Sequence, residues 1–211
     1  KKNGLPIDNY NEVVKQISDT ENVIAVTPHL EGQALAKTKN AVSGVIIRGK
    51  KWSDLPAKTL LWKSLDDATI ENFKMQQNVI LGYRLAQRLN IRLGDYISLI
   101  SSNVMETAIG VLPVKQNFVV GGFFDIGMYE YDNNFIFIPW NKAEKFLSTK
   151  KVAHGIEIFL QNPKSTKSVY SDLNTKLDDS LRIIDWKKRN SSFMNALDVE
   201  KNVMFVILTL I

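Results

Sequence analysis

Two alternating apolar runs constrain the centre of this chain. Tyr96 to Ser101 and Asn117 to Phe124 carry apolar side chains at every second position, the period of a half-buried strand, and read as the arms of one hairpin. Tight hairpins need only two to five connecting residues. Here about fourteen intervene, and Ala108, Ile109, Val111, Leu112 and Val114 stand among them beside Gly110 and Pro113. A segment this apolar is no ordinary solvated connector. Turns collect Gly and Pro for backbone reasons alone, so residue chemistry leaves two readings open. Either the segment packs on its own domain, or it grips an apolar face or sheet edge of a partner, with Lys115 and Gln116 offering donors at its base.

The rest of the chain can support such a device. With 211 residues and 45% hydrophobic content it can bury a sizeable core, and its length fits two small subdomains. Cysteine is absent, which removes disulfides, thiolate catalysis and cysteine-ligated zinc and is compatible with an oxidising space without fixing one. The net charge of +5 does not point to nucleic acid, because 27 basic residues are scattered among 22 acidic ones and the densest cluster, Lys187, Lys188 and Arg189, is short. The first residues do not read as a secretory signal peptide. From Asn202 to Ile211 the sequence runs without a charge or a polar stripe. A membrane span needs about 20 apolar residues, so this tail is expected to be the truncated start of a transmembrane helix continuing a stalk helix from Asn190.

Periodicity predicts an opening helix over Tyr10, Val13, Val14 and Ile17 with Asp8 as N-cap, then a strand Asn22 to Thr27 punctuated by Pro28 and Gly32. A second strand, Val42 to Arg48, ends at Gly49. Trp52 to Met75 reads as a loosely ordered connector with short helices. A strand at Val79 to Leu81, a helix Tyr83 to Asn90, the hairpin, a strand Phe135 to Pro139 and a helix capped by Asn141 follow. The final unit is a strand Ile156 to Leu160, a helix burying Val169, Tyr170, Leu173 and Leu177, and a strand Leu181 to Trp186. It mirrors the opening of the chain. The fold class is therefore α+β, with chain ends forming one subdomain and the middle inserted as a strand-rich second one.

Catalytic signatures fail. There is no phosphate-binding loop, nucleophile elbow or dinucleotide fingerprint, and His29 and His154 are not at metal-ligand spacing. The acidic group Asp125, Glu130 and Asp132 flanks Tyr129 and Tyr131 in a turn and lacks the oxygen-rich alternation of a calcium loop, so a structural role outweighs acid–base chemistry. No catalytic residue, metal or cofactor is assigned, and the chain is not expected to be an enzyme.

The successions VILGYRLAQRLNIRLGDYISLIS, TAIGVLPVKQNFVVGGFFDIGMYEYD, FIFIP and SSFMNALDVEKNVMFVILTLI resemble the extracytoplasmic domain of the LolC and LolF permease subunits of lipoprotein-releasing ABC transporters, within the wider MacB-like periplasmic core family. The T-x-x-G-x-x-P pattern of Thr107, Gly110 and Pro113 resembles the protruding hook of the LolC type, while MYEYD is closer to LolF or LolE. The resemblance implies a porter subdomain split between residues 1–49 and 153–189, an inserted sabre subdomain over 50–152 with a long β-hairpin hook at 103–117, and a stalk with the start of a membrane helix at 190–211. It implies a hook of Thr107, Ala108, Ile109, Gly110, Val111, Leu112, Pro113 and Val114 that enters a LolA-like periplasmic chaperone, with Lys115 and Gln116 as a polar pad. Ala108 stands where the LolC pattern often has proline, and Gln116 where it has arginine. Implied partners are a LolD-like ATPase, a second permease subunit (a homodimer in the LolF case), lipoprotein substrates and the inner membrane. Two other readings compete: a MacB-like efflux permease domain docking on an adaptor protein, and an enzyme or sensor domain on a membrane stalk using the Asp125 to Asp132 acids.

Overall fold

A strand of 15 residues, Val23–Lys37 (β2), ties the architecture together. The computed structural model describes residues 5–76, 78–107, 110–186 and 191–210. Val23 to His29 of β2 pair antiparallel with β9 (Gly155–Leu160), and Leu30 to Lys37 pair with β3 (Val42–Lys50). On the opposite edge, Ala34 to Lys37 also pair with β5 (Tyr96–Thr107). The ladders continue from β5 to β6 (Gly110–Phe124), β4 (Asn78–Gly82), β7 (Phe135–Pro139) and back to β3, so six strands close a ring and β9 alone lies outside it. A short pair, β1 (Ile7–Asp8) with β8 (Val152–Ala153), completes the strands. Closure removes the unpaired edges that an open sheet would expose.

Helices cover this framework through apolar faces at helical spacing. Helices α1 (Tyr10–Ser18) and α7 (Thr166–Lys176) bury Ile17, Val169 and Leu173 against the β2–β9 pair. Helices α4 (Tyr83–Leu89) and α6 (Trp140–Phe146) place Leu85, Leu89, Ala143 and Phe146 in the main core with Val79, Leu81, Ile136 and Ile138. The alternate residues Ile80, Phe135 and Phe137 enter a second core with Leu55, Leu61 and Phe73. Those three come from the 3₁₀ helix Trp52–Ala57, α2 (Thr59–Lys63) and α3 (Asp67–Lys74).

The structure corrects several local expectations. The stretch Trp52 to Met75 is well packed: Leu55 and Phe73 are buried, and the buried Thr69 hydroxyl donates to the Gly121 carbonyl at 3.1 Å. Its polar surroundings hide the few apolar anchors that hold it. Strand β2 runs through Pro28 and Gly32, and β3 through Gly49. Pro28 sits where β2 has a ladder on one side only, so its missing N–H costs little. A Cβ at Gly32 or Gly49 would lie 2.5 Å from Leu147 or Ala143, so these glycines let α6 and its C-terminal end approach the strands. The N-cap of α1 is Asn9, not Asp8, and α6 starts from Pro139 without a side-chain cap from Asn141. Residues Tyr129–Asn134 form a helix, α5, where a turn is expected. Residues 182–185 form no strand, and Leu181 makes an isolated bridge. Strand β3 pairs in parallel with β7. Ser191–Leu210 is one helix, α8, with Val203, Phe205, Val206 and Leu208 exposed. Among the described residues, no helix is long and apolar enough to cross a membrane.

Candidate partner-docking site

The hairpin arms extend much further than the apolar runs indicate. Strands β5 and β6 stay paired from Tyr96↔Val119 to Thr107↔Gly110, with a register shift between Ile100 and Val104. The expected long connector is thus mostly a continuation of both strands. Ladder support differs along its length. Strand β5 has β2 beside it only up to Ser101, and β6 has β4 beside it only from Val119 onward. Beyond Ser101 and Lys115 the hairpin is a two-stranded ribbon, and six residues of strand at about 3.3 Å each carry it roughly 20 Å past the ring. Such a ribbon is marginal by itself and offers unpaired edges to a partner.

The T-x-x-G-x-x-P pattern has a geometric basis. Thr107 pairs directly with Gly110, whose φ of 123° favours glycine. Pro113 pairs with Val104 and is exposed, a position where a ribbon edge tolerates a missing N–H. Ala108 and Ile109 lie outside the described residues; Val111 and Leu112 fall within β6. Val114 is half-buried and packs against the main core.

At the ribbon's foot the strand pleat separates Lys115 and Gln116, the expected pad residues, because successive side chains point to opposite faces. Lys115 is exposed and sits in a row with Ile100, Leu35 and Gly44, each paired with the next across β6, β5, β2 and β3. Gln116 is half-buried opposite Leu99, which is 0% exposed. Leu35 is 50% exposed and Val42, one pleat further along the same outer face, is 60% exposed. A groove of about 430 Å³ lies over Gly44, between Leu35, Val45 and Ile100. The sequence does not mark Leu35 or Val42 as contact residues; their shared face emerges only from strand register.

The other candidates are engaged in the fold. Asp132 is buried, and its Oδ1 accepts the Ile126 N–H at 3.0 Å while Asp125 Oδ1 accepts that of Gly127 at 3.1 Å. Burial pushes the Asp132 carboxyl up, and Asp125 beside it adds to that. The exposed Glu130 makes no convergent site with them. His154 Nδ1 accepts the Glu31 N–H at 3.0 Å. Among the described residues, no group of three or more His, Asp or Glu is set to hold a metal. A cavity of about 520 Å³ lies between β9, α1, α7 and residues 181–186, lined chiefly by apolar side chains such as Ile17, Ile156, Leu173 and Ile183.

A two-part α+β domain that presents a projecting β-ribbon is the class defined by these elements. The chain belongs to the family of the MacB-like periplasmic core domain, whose model matches residues 2–176. Among curated relatives it is 25% identical over 209 residues to the lipoprotein-releasing system transmembrane protein LolC of Xylella fastidiosa, covering 99% of this chain and 50% of that protein. LolC of Neisseria meningitidis is 26% identical over 204 residues, with 96% and 49% covered. LolE of Haemophilus influenzae is 17% identical over 207 residues, with 97% and 49% covered. The chain thus spans about half the length of these relatives. Among solved structures, the extracellular domain of the noncanonic ABC-type transporter YknZ superposes with a TM-score of 0.55 at 12% identity, covering 85% of this chain and 90% of that one. The periplasmic region of MacB from Actinobacillus actinomycetemcomitans gives 0.50 at 14%, covering 81% and 75%.

Proposed function

We propose that this chain is the periplasmic domain of an ABC-transporter permease subunit that releases lipoproteins from the inner membrane, and that its ribbon docks the soluble chaperone receiving them. The projecting ribbon carries this reading, and the LolC relatives over nearly the full chain support its lipoprotein context. The domain makes and breaks no bond. It supplies a docking surface while a separate LolD-like subunit hydrolyses ATP, and a second permease subunit completes the transporter. Helix α8 would lead from this domain into the membrane. Contact is expected from residues 107–114, with Lys115, Ile100 and Leu35 meeting the chaperone's rim and Gln116 supporting the ribbon from its inner face.

The test is a titration of this domain with a LolA-type chaperone and, in parallel, with a periplasmic adaptor of the kind used by efflux permeases. Saturable binding to the chaperone alone, weakened by Pro113→Gly, supports the reading. Binding to the adaptor alone would assign the domain to efflux, the alternative favoured by the likeness to the MacB periplasmic region.

A further inference from the structure

Where β2 passes from one part of the molecule to the other, its ladders change hands. Pairing with β9 ends at His29↔Gly155, and pairing with β3 begins at Leu30↔Gly49. At this changeover the side chains form a buried ionic cluster. A single carboxylate from β9, Glu157, receives Arg48 Nη1 at 2.8 Å, Lys50 Nζ at 2.8 Å and Lys58 Nζ at 3.0 Å. All three cations come from the ring and its connector. Arg48 and Lys50 are 1% and 0% exposed. Arg48 Nη2 also binds the Glu31 carboxylate, and Lys50 Nζ donates to Thr27 Oγ1 at 2.7 Å, so both cations grip β2 on either side of the changeover. Two residues beyond Glu31, the Gln33 carbonyl accepts the Ser102 hydroxyl at 3.3 Å, where the ribbon leaves the ring.

Buried ion clusters are poor sources of net stability, because desolvation cancels most of the attraction. What they impose is geometry: two donors from β3 and one from the connector that follows it satisfy one carboxylate only at a narrow range of placements of β9 against β3. We infer that Glu157, with Arg48, Lys50 and Lys58, is a joint that fixes the β2–β9 unit at a set angle to the ring, so that movement of α1 and α7 carries the ribbon with it. These are positioning residues and touch no partner. The inference stands on geometry and does not require the ribbon to dock a chaperone, so either can fail alone.

The chain has no cysteine, so spin labels can be placed at Asn174→Cys on α7 and Lys115→Cys at the ribbon's foot, both exposed. Pulsed dipolar spectroscopy on the labelled domain should give one narrow distance peak. In Glu157→Gln that peak should be lost to a broad distribution, while Glu71→Gln, which removes the exposed pair with Lys74, should leave it unchanged. Lys58→Met, at the rim of the cluster, keeps the test decisive should Glu157→Gln fail to fold. A lower melting temperature with the narrow peak intact in a folded cluster variant would make the cluster merely stabilising and overturn the inference.

Discussion

His29 makes acid the natural stress for this domain. Burial, then the Arg48 charge, lowers its imidazole from 6.5 to about 2, so it stays neutral in the folded protein. The unfolded chain takes up the proton below about pH 6.5 and the folded chain does not, so stability present above that pH is lost as pH falls. Between pH 6.5 and 4.5 the loss amounts to about 2–3 kcal/mol, readable by urea unfolding at stepped pH; His29→Gln should flatten this part of the profile. Below pH 4.5 Glu157 adds to the slope: burial alone would raise it, but Lys50, Lys58 and Arg48 outweigh that and hold it well below the usual carboxylate range. Lys50 acts at the other end, since burial lowers it to about 8, and its contribution rises with pH between about 8 and 10.5. Gly110 is a separate case. A Cβ there meets no neighbour within 4 Å but is strained at φ 123°, so Gly110→Val should cost about 1–3 kcal/mol in chemical unfolding and weaken docking several-fold in a binding titration.

The connector and the ribbon behave as opposites. Phe73 is 1% exposed in the second core, so Phe73→Ala should cost about 3–5 kcal/mol in chemical unfolding despite lying in a polar stretch. Removing residues 103–113 should alter unfolding far less than Phe73→Ala, because the ladders that hold β5 and β6 to β2 and β4 lie at Ser98 to Ser101 and from Val119 onward. Helices and strands with clean periodicity, such as α1, β4, α4 and β7, were legible in the sequence. The length of β2 was not, because Pro28 and Gly32 look like breakers until α6 and the one-sided ladder are in place. The ribbon was visible as an anomaly, an overlong apolar connector, but its strand pairing depends on partners across the register shift at Ile100. Lys115 and Gln116 are adjacent in sequence and part company only in a pleat, while Leu35 and Val42 join Lys115 only through three ladders.

On the function proposed above, ring, ribbon and β2–β9 unit together act as a lever with a contact surface at one end. Continuous β2 and the Glu157 cluster connect its parts, and the build is that of the MacB-like periplasmic core domain family to which the chain belongs. The central claim is that the ribbon is the docking element. It is tested most directly by calorimetric titration of a LolA-type chaperone into this domain and into a variant whose residues 103–113 are replaced by a short Asn-Gly turn, Val114 being kept for its core contact. The variant should lose at least about tenfold in affinity with its unfolding transition nearly unchanged. Affinity within about twofold of the parent, in a variant that still folds, would contradict it.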